Sequence, residues 1–185
     1  MSWHEDRPGV SLSLILPVTE PSDPVLDVGC GTGALLPALV DAGYHRLTGL
    51  DVSAEALRRL RDRMGPAARR VTLIEGDVLT AALPEGLVVW HDRAVLHFLL
   101  DDTERARYGE QVRRGLAPGG FVILGAFAPD GPERCSGLPV RRHGPEDFAA
   151  LLGDEFVAET SLRHEHRTPS GAVQPFCFAR FRRAP

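Results

Sequence analysis

The nine residues Val25-Leu26-Asp27-Val28-Gly29-Cys30-Gly31-Thr32-Gly33 constrain this chain more than any other stretch. An apolar run of strand length passes into three alternating glycines, and helix-forming residues follow from Leu35. Glycine lets the backbone turn sharply and lets a ligand approach where a Cβ would intervene. Amide N–H groups at the start of the next helix then face an electron-rich part of that ligand. The dinucleotide pattern G-x-G-x-x-G is not met, because the third glycine, Gly33, arrives one residue early. That spacing counts against a nicotinamide- or flavin-dependent enzyme.

Further apolar runs at 47–50, 71–74, 87–90 and 121–127 read as strands buried on both faces of a parallel sheet. Amphipathic segments separate them. Leu35, Leu36, Leu39 and Val40 share a helical face that Gly43 ends, and Ser53 suits the cap of a helix carrying Leu57, Leu60 and Met64 before Gly65. Tyr108, Val112 and Leu116 form a third stripe, stopped by Pro118-Gly119-Gly120, and Pro145 opens a fourth helix with Phe148, Leu151 and Leu152 facing inward. The tail breaks this rhythm: the runs 155–162 and 173–183 have no helix between them, so they are expected to pair as an antiparallel hairpin at a sheet edge. The predicted fold is a doubly wound, mostly parallel α/β sheet in one domain over 1–185. Its expected parts are an N-terminal lid or helix segment (1–20), a core (21–127), an aperiodic substrate loop (128–144), and a C-terminal helix and hairpin (145–185).

Composition narrows the chemistry. All 21 Lys+Arg residues are arginine, and neither lysine nor asparagine occurs. Schiff-base and phosphate-loop lysines are therefore excluded, as is the Asn-Pro-Pro-aromatic signature of amine methylation. A net charge of −4 argues against a nucleic-acid binder that works by bulk charge. Cys30, Cys135 and Cys177 are odd in number and lack metal or redox spacing, which reads as reduced thiols in a cytoplasm. No metal site is expected; His164 and His166 alternate at a strand end without other ligands nearby in sequence. The start has neither signal-peptide character nor a membrane-spanning run.

Two carboxylates complete the glycine motif. Asp51 ends the run Gly49-Leu50-Asp51-Val52, twenty residues past Gly31, where an acid at a strand tip accepts hydrogen bonds from ribose hydroxyls. Glu75-Gly76-Asp77-Val78 follows the third strand, and a carboxylate there can accept from an exocyclic amine of adenine. These elements in order, with Leu116-Ala117-Pro118-Gly119-Gly120-Phe121 before the fifth strand, resemble the class I S-adenosylmethionine-dependent methyltransferases, over about residues 10 to 183. The resemblance implies a seven-stranded Rossmann-like sheet in which only the last strand is antiparallel. It also implies S-adenosyl-L-methionine as cofactor and S-adenosyl-L-homocysteine as product. Asp27, Gly29, Cys30, Gly31 and Gly33 would lie along the methionine part, Asp51 at the ribose, and Asp77 and Val78 at the adenine, with Val52 a further cofactor contact.

The segment after the fourth strand, Trp90-His91-Asp92-Arg93-Ala94-Val95-Leu96-His97-Phe98-Leu99, should face the transferred methyl group. His91, Asp92 and His97 are its candidate bases and Arg93 a carboxylate-orienting cation, with His91 also a candidate cofactor contact. The same segment resembles a bacterial subgroup of small methyltransferases and, more distantly, protein-lysine methyltransferases of this fold. In the loop after the fifth strand, Cys135 is a candidate substrate-binding thiolate if neighbouring arginines lower its pKa, and Arg141 a candidate attractor of anionic substrate. Trp3 is a possible lid residue, in a front edge that looks short of its usual helical lead-in. The expected activity is methyl transfer to a small molecule through a sulfur, oxygen or metalloid nucleophile, by a monomer or weak homodimer without nucleic-acid or membrane partners. The alternatives are a protein-lysine methyltransferase, a nicotinamide-dependent oxidoreductase and a silent cofactor-binding module.

Overall fold

Alternate residues along the central strands enter two separate apolar layers, which is why those strands read as unbroken apolar runs. The computed structural model describes residues 8–168 and 171–185; the candidate lid residue Trp3 lies outside the described residues. Its strands are β1 (Val25–Val28), β2 (Leu47–Asp51), β3 (Val71–Glu75), β4 (Leu87–Arg93), β5 (Leu116–Phe127), the short β6 (Arg134–Cys135) and β7 (Leu138–Pro139), β8 (Phe156–Arg167) and β9 (Val173–Arg183). The helices are α1 (Gly9–Ile15), α2 (Leu35–Asp41), α3 (Ala54–Met64), α4 (Asp102–Gly115) and α5 (Pro145–Leu152). Val25, Val89 and Ile123 join Ile15, Leu36, Leu39 and Leu60 in one layer, whereas Leu26, Trp90 and Val122 join Tyr108, Val112, Phe148 and Phe181 in the other.

Seven strands form one sheet in the order β3-β2-β1-β4-β5-β9-β8. Strands β1 to β5 pair in parallel, and β9 runs antiparallel to both β5 and β8, so the last strand alone is reversed. The order reverses direction between β1 and β4, and the crevice of an open α/β sheet lies at such a switch point, beyond the carboxyl ends of the strands. Capping follows the sequence: Ser53 Oγ accepts from the Ala56 N–H, Gly65 closes α3 at φ 55°, and Pro145 stands in the first turn of α5.

Two expectations need correction. The fourth strand does not stop at Trp90 but runs on through Arg93, because residues 89 to 93 keep their ladder to β5. His91 and Asp92 are therefore strand residues, not loop residues. The stretch 128–144 is not wholly irregular either: β6 and β7 pair as a hairpin through Ser136 and Gly137, at φ 50° and 82°. Positive φ at both loop residues is what a tight two-residue hairpin requires.

Candidate functional site: a crevice at the carboxyl edge

A crevice of about 770 Å³ opens where β1, β2, β3 and β4 end. Gly29, Gly31 and Thr32 of the glycine turn line it, together with Asp51, Val52 and Ser53 beyond β2 and Gly76, Asp77 and Val78 beyond β3. Arg93, Ala94 and Val95 line it beyond β4, and the β6–β7 hairpin contributes Cys135, Leu138 and Pro139. The turn is tight for a steric reason. Gly29 has φ 66°, and a Cβ built on it would stand 2.1 Å from Val95 Cγ2. Ala94 itself adopts φ 69°, uncommon for a residue with a Cβ, and its N–H is held by the Gly125 carbonyl at 2.8 Å.

Asp51 joins the turn to the start of α3. One carboxylate oxygen accepts from the Gly31 N–H at 2.8 Å and the other from the Ser53 N–H at 2.8 Å. A carboxylate offers about four acceptor sites, so each oxygen keeps room for a further donor on the crevice side. Asp77 is exposed and accepts from the Leu79 N–H at 2.8 Å. Val52 is 72% exposed, an apolar side chain left open on the crevice wall. Val78 is buried, and its carbonyl takes a hydrogen bond from Gln111.

The candidate bases stand differently. Alternation along β4 sends His91 to one face of the sheet and Asp92 to the other. His91 pairs in register with Asp27 of β1; its Nδ1 lies 2.7 Å from Asp27 Oδ1 and its Nε2 2.9 Å from Ser11 Oγ on α1. All three side chains are buried, and none lines the crevice. Asp92 accepts from the Val95 and Leu96 N–H groups and from the Tyr108 hydroxyl at 2.7 Å, and that hydroxyl in turn accepts from Trp90 Nε1 at 3.0 Å. Burial pushes the Asp92 carboxyl up to about 6, against the lowering effect of its Tyr108 and backbone hydrogen bonds. His97 is fully buried between Phe98 and Phe127, and desolvation pulls it down to about 3. Asp92 and His97 thus lie behind the crevice wall they were expected to furnish, and Asp27 turns toward His91.

Of the remaining candidates, Arg93 does line the crevice, with its guanidinium 5.4 Å from the centre of the Phe176 ring. Cys135 lines it too, but burial raises the thiol's pKa, so the expected thiolate is corrected to a thiol. Cys30 packs in the core, with its thiol pushed far up by burial and by Asp27 and Asp51. Gly33 donates to the Cys30 carbonyl at 2.8 Å and does not line the crevice. Arg141 is exposed and pairs with Asp102 at 3.1 Å on an outer groove. Sequence reasoning missed Ser11, which belongs to no motif, and Tyr108, whose helical spacing marked it as core without revealing its polar end.

A mostly parallel sheet of this order, its last strand reversed, with a glycine turn and acids at two neighbouring strand tips defines the Rossmann-like methyltransferase class. The chain belongs to the methyltransferase-domain family, which it matches over residues 25–120, just over half its length. It is 32% identical over 152 residues to a tRNA U34 carboxymethyltransferase of Shewanella amazonensis (77% of this chain, 41% of that protein). It is 30% identical over 158 residues to the 27-O-demethylrifamycin SV methyltransferase of Amycolatopsis mediterranei (81% and 56%). A mouse eEF1A lysine and N-terminal methyltransferase aligns at 29% identity over 105 residues (56% and 15%). The chain thus spans between 15% and 56% of the length of these relatives. Among solved structures, a Burkholderia thailandensis 1,6-didemethyltoxoflavin-N1-methyltransferase, with its substrate and S-adenosylhomocysteine bound, superposes with a TM-score of 0.77 at 21% identity. That superposition covers 96% of this chain and 78% of the other.

Proposed function

We propose that the chain transfers a methyl group from S-adenosyl-L-methionine to a small-molecule acceptor through a sulfur, oxygen or metalloid nucleophile, leaving S-adenosyl-L-homocysteine. The observation that carries this reading is the single crevice onto which the glycine turn, Asp51 and Asp77 converge. The residues fit the cofactor. Gly29 and Gly31 bring backbone to the crevice surface with no side chain in the way. Asp51 would accept from the ribose hydroxyls, Asp77 from the adenine amine, and Val52 and Val78 would flank the adenine ring. Asp27 and His91, tied to each other and to Ser11, would support the turn at the methionine end.

When bound, the cofactor supplies a methyl group activated by its sulfonium. The protein's part is alignment and exclusion of water. Ala94 and Val95, fixed through the Gly125 carbonyl and Asp92, form the wall at the reactive end, and Arg93 stands beside it to orient the acceptor. The net charge of −4 supports a small acceptor over nucleic acid, and the proposed state is a cytoplasmic monomer or weak homodimer. No helix among the described residues is long and apolar enough to cross a membrane.

A screen with methyl-labelled cofactor tests this reading. Labelled small thiols, acids or phenols are the expected outcome. Label incorporated into peptide pools or tRNA alone would contradict it, as would thermal stabilisation by NAD without stabilisation by S-adenosylhomocysteine.

A further inference from the structure

A chain of buried hydrogen bonds runs from α1 to the strand that carries the glycine turn. Ser11 Oγ lies 2.9 Å from His91 Nε2, and His91 Nδ1 lies 2.7 Å from Asp27 Oδ1. An ionised carboxylate only accepts, so Nδ1 carries the proton, and Nε2 of the neutral ring accepts from the Ser11 hydroxyl. The same order of groups activates a serine nucleophile in hydrolases. Here Ser11 is 2% exposed, so no substrate reaches its oxygen and the chain acts by position. Ser11 shares the inward face of α1 with Leu14 and Ile15, and Arg180 donates to the Leu14 carbonyl at 2.9 Å near the far end of that helix.

Asp27 is where these bonds meet the site. It pairs in register with His91 and stands within about 7 Å of chain from Gly29, which lines the crevice. Its negative charge reaches the turn: after burial, it is Asp27 and then Asp51 that raise the Cys30 thiol's pKa. His91 fills one of about four acceptor sites on the carboxylate. A carboxylate this buried holds its charge only when partnered, and its partner is a ring pinned at both nitrogens.

We propose that His91 is a positioning residue for the amino-acid tail of the cofactor. Pinned to α1 by Ser11, it holds the Asp27 carboxylate charged behind the glycine turn, where that charge attracts the tail's ammonium group. This rests on the methyltransferase reading above. The site then divides its work: Asp51 and Asp77 serve the adenosine half from the tips of β2 and β3, and Asp27 serves the tail from behind the turn. Asp27 does not line the crevice, but two opposite charges attract without touching, and more strongly where protein rather than water lies between them. Without His91 the carboxylate is left buried and short of a donor, so it takes up a proton more readily and its hold on the ammonium weakens. Without the Ser11 hydroxyl the ring loses its partner at Nε2 and can turn, which loosens the grip on Asp27 to a smaller degree. The adenosine half keeps its contacts in both cases.

The test compares two ligands by calorimetry with the intact chain. S-adenosylhomocysteine carries the amino-acid tail, and 5′-methylthioadenosine is a thioether of the same nucleoside without it. His91→Leu should raise the Kd for S-adenosylhomocysteine about tenfold or more, and Ser11→Ala about threefold or more, while the Kd for 5′-methylthioadenosine stays within about twofold in each. If His91→Leu fails to fold, Ser11→Ala decides alone. An equal loss of affinity for both ligands means that these residues only support the fold, and it overturns the inference. Unchanged S-adenosylhomocysteine affinity in either folded variant overturns it as well, as does a wild type that binds both ligands equally tightly. Binding of neither ligand by the wild type would instead overturn the methyltransferase reading on which the inference stands.

Discussion

At residue 29 the space left for a side chain is already taken by Val95. A Cβ there would meet Val95 Cγ2 at 2.1 Å, on a backbone whose φ of 66° disfavours any side chain. Gly29→Ala should cost about 1–3 kcal/mol of stability, read from the urea midpoint, because either the turn or the β4 wall has to shift. S-adenosylhomocysteine affinity should fall with it. Tyr108 shows a different dependence. Its hydroxyl gives its proton to Asp92 and receives one from Trp90, all within the core. Tyr108→Phe should destabilise the fold by about 1–3 kcal/mol, because a buried carboxylate and a buried indole N–H each lose a partner. The Glu-free, polar part of this core was not legible in the sequence: a helical stripe reveals that Tyr108 is buried, not where its oxygen points.

At the scale of elements, the strands and caps were legible because periodicity and glycine spacing report burial and chain reversal directly. The runs at 25–28 and 47–50 emerged almost unchanged as β1 and β2. The end of β4 was not legible, since His91-Asp92-Arg93 breaks the apolar run that marks a buried strand. Those polar residues stay in the sheet because each finds partners on its own face: Asp27 and Ser11 for His91, and Tyr108 and two amides for Asp92. The glycine turn and the acids at the tips of β2 and β3, legible as strand-end residues, line one crevice, whereas His91 and Asp92 were misplaced by this one strand boundary. The hairpin formed by β6 and β7 was hidden in a glycine- and proline-rich stretch. Its turn needs φ 82° at Gly137, so Gly137→Val should disrupt it. The expected result is a higher KM for the acceptor with S-adenosylhomocysteine affinity unchanged, measured by steady-state kinetics and calorimetry.

Across the whole molecule, three buried groups set the response of stability to pH. Desolvation lowers His97 to about 3 and His143 to about 4, the latter with help from the Arg105 guanidinium, which donates to its Nε2 at 2.8 Å. Both histidines stay neutral in the folded chain while the unfolded chain protonates them below its usual range near 6.5, so their contribution is lost as pH falls from about 6.5 toward 4. Asp92 acts in the opposite direction. Its raised pKa of about 6 favours folding where the carboxyl is protonated, and that contribution fades as pH rises from about 4 to 6. Two protons against one leave stability rising with pH between 4 and 6. Urea midpoints across this range should show that slope, and His97→Leu should flatten it.

The crevice at the carboxyl edge is proposed to hold S-adenosylmethionine with Asp51 on its ribose. Calorimetric titration of S-adenosylhomocysteine into the wild-type chain and into Asp51→Ala tests it directly. Removing a charged hydrogen-bonding partner should cost about 1.5–3 kcal/mol, roughly a 10- to 150-fold rise in Kd, while the wild type binds at one site. Equal affinity for the two chains, or no binding by the wild type, would contradict the claim.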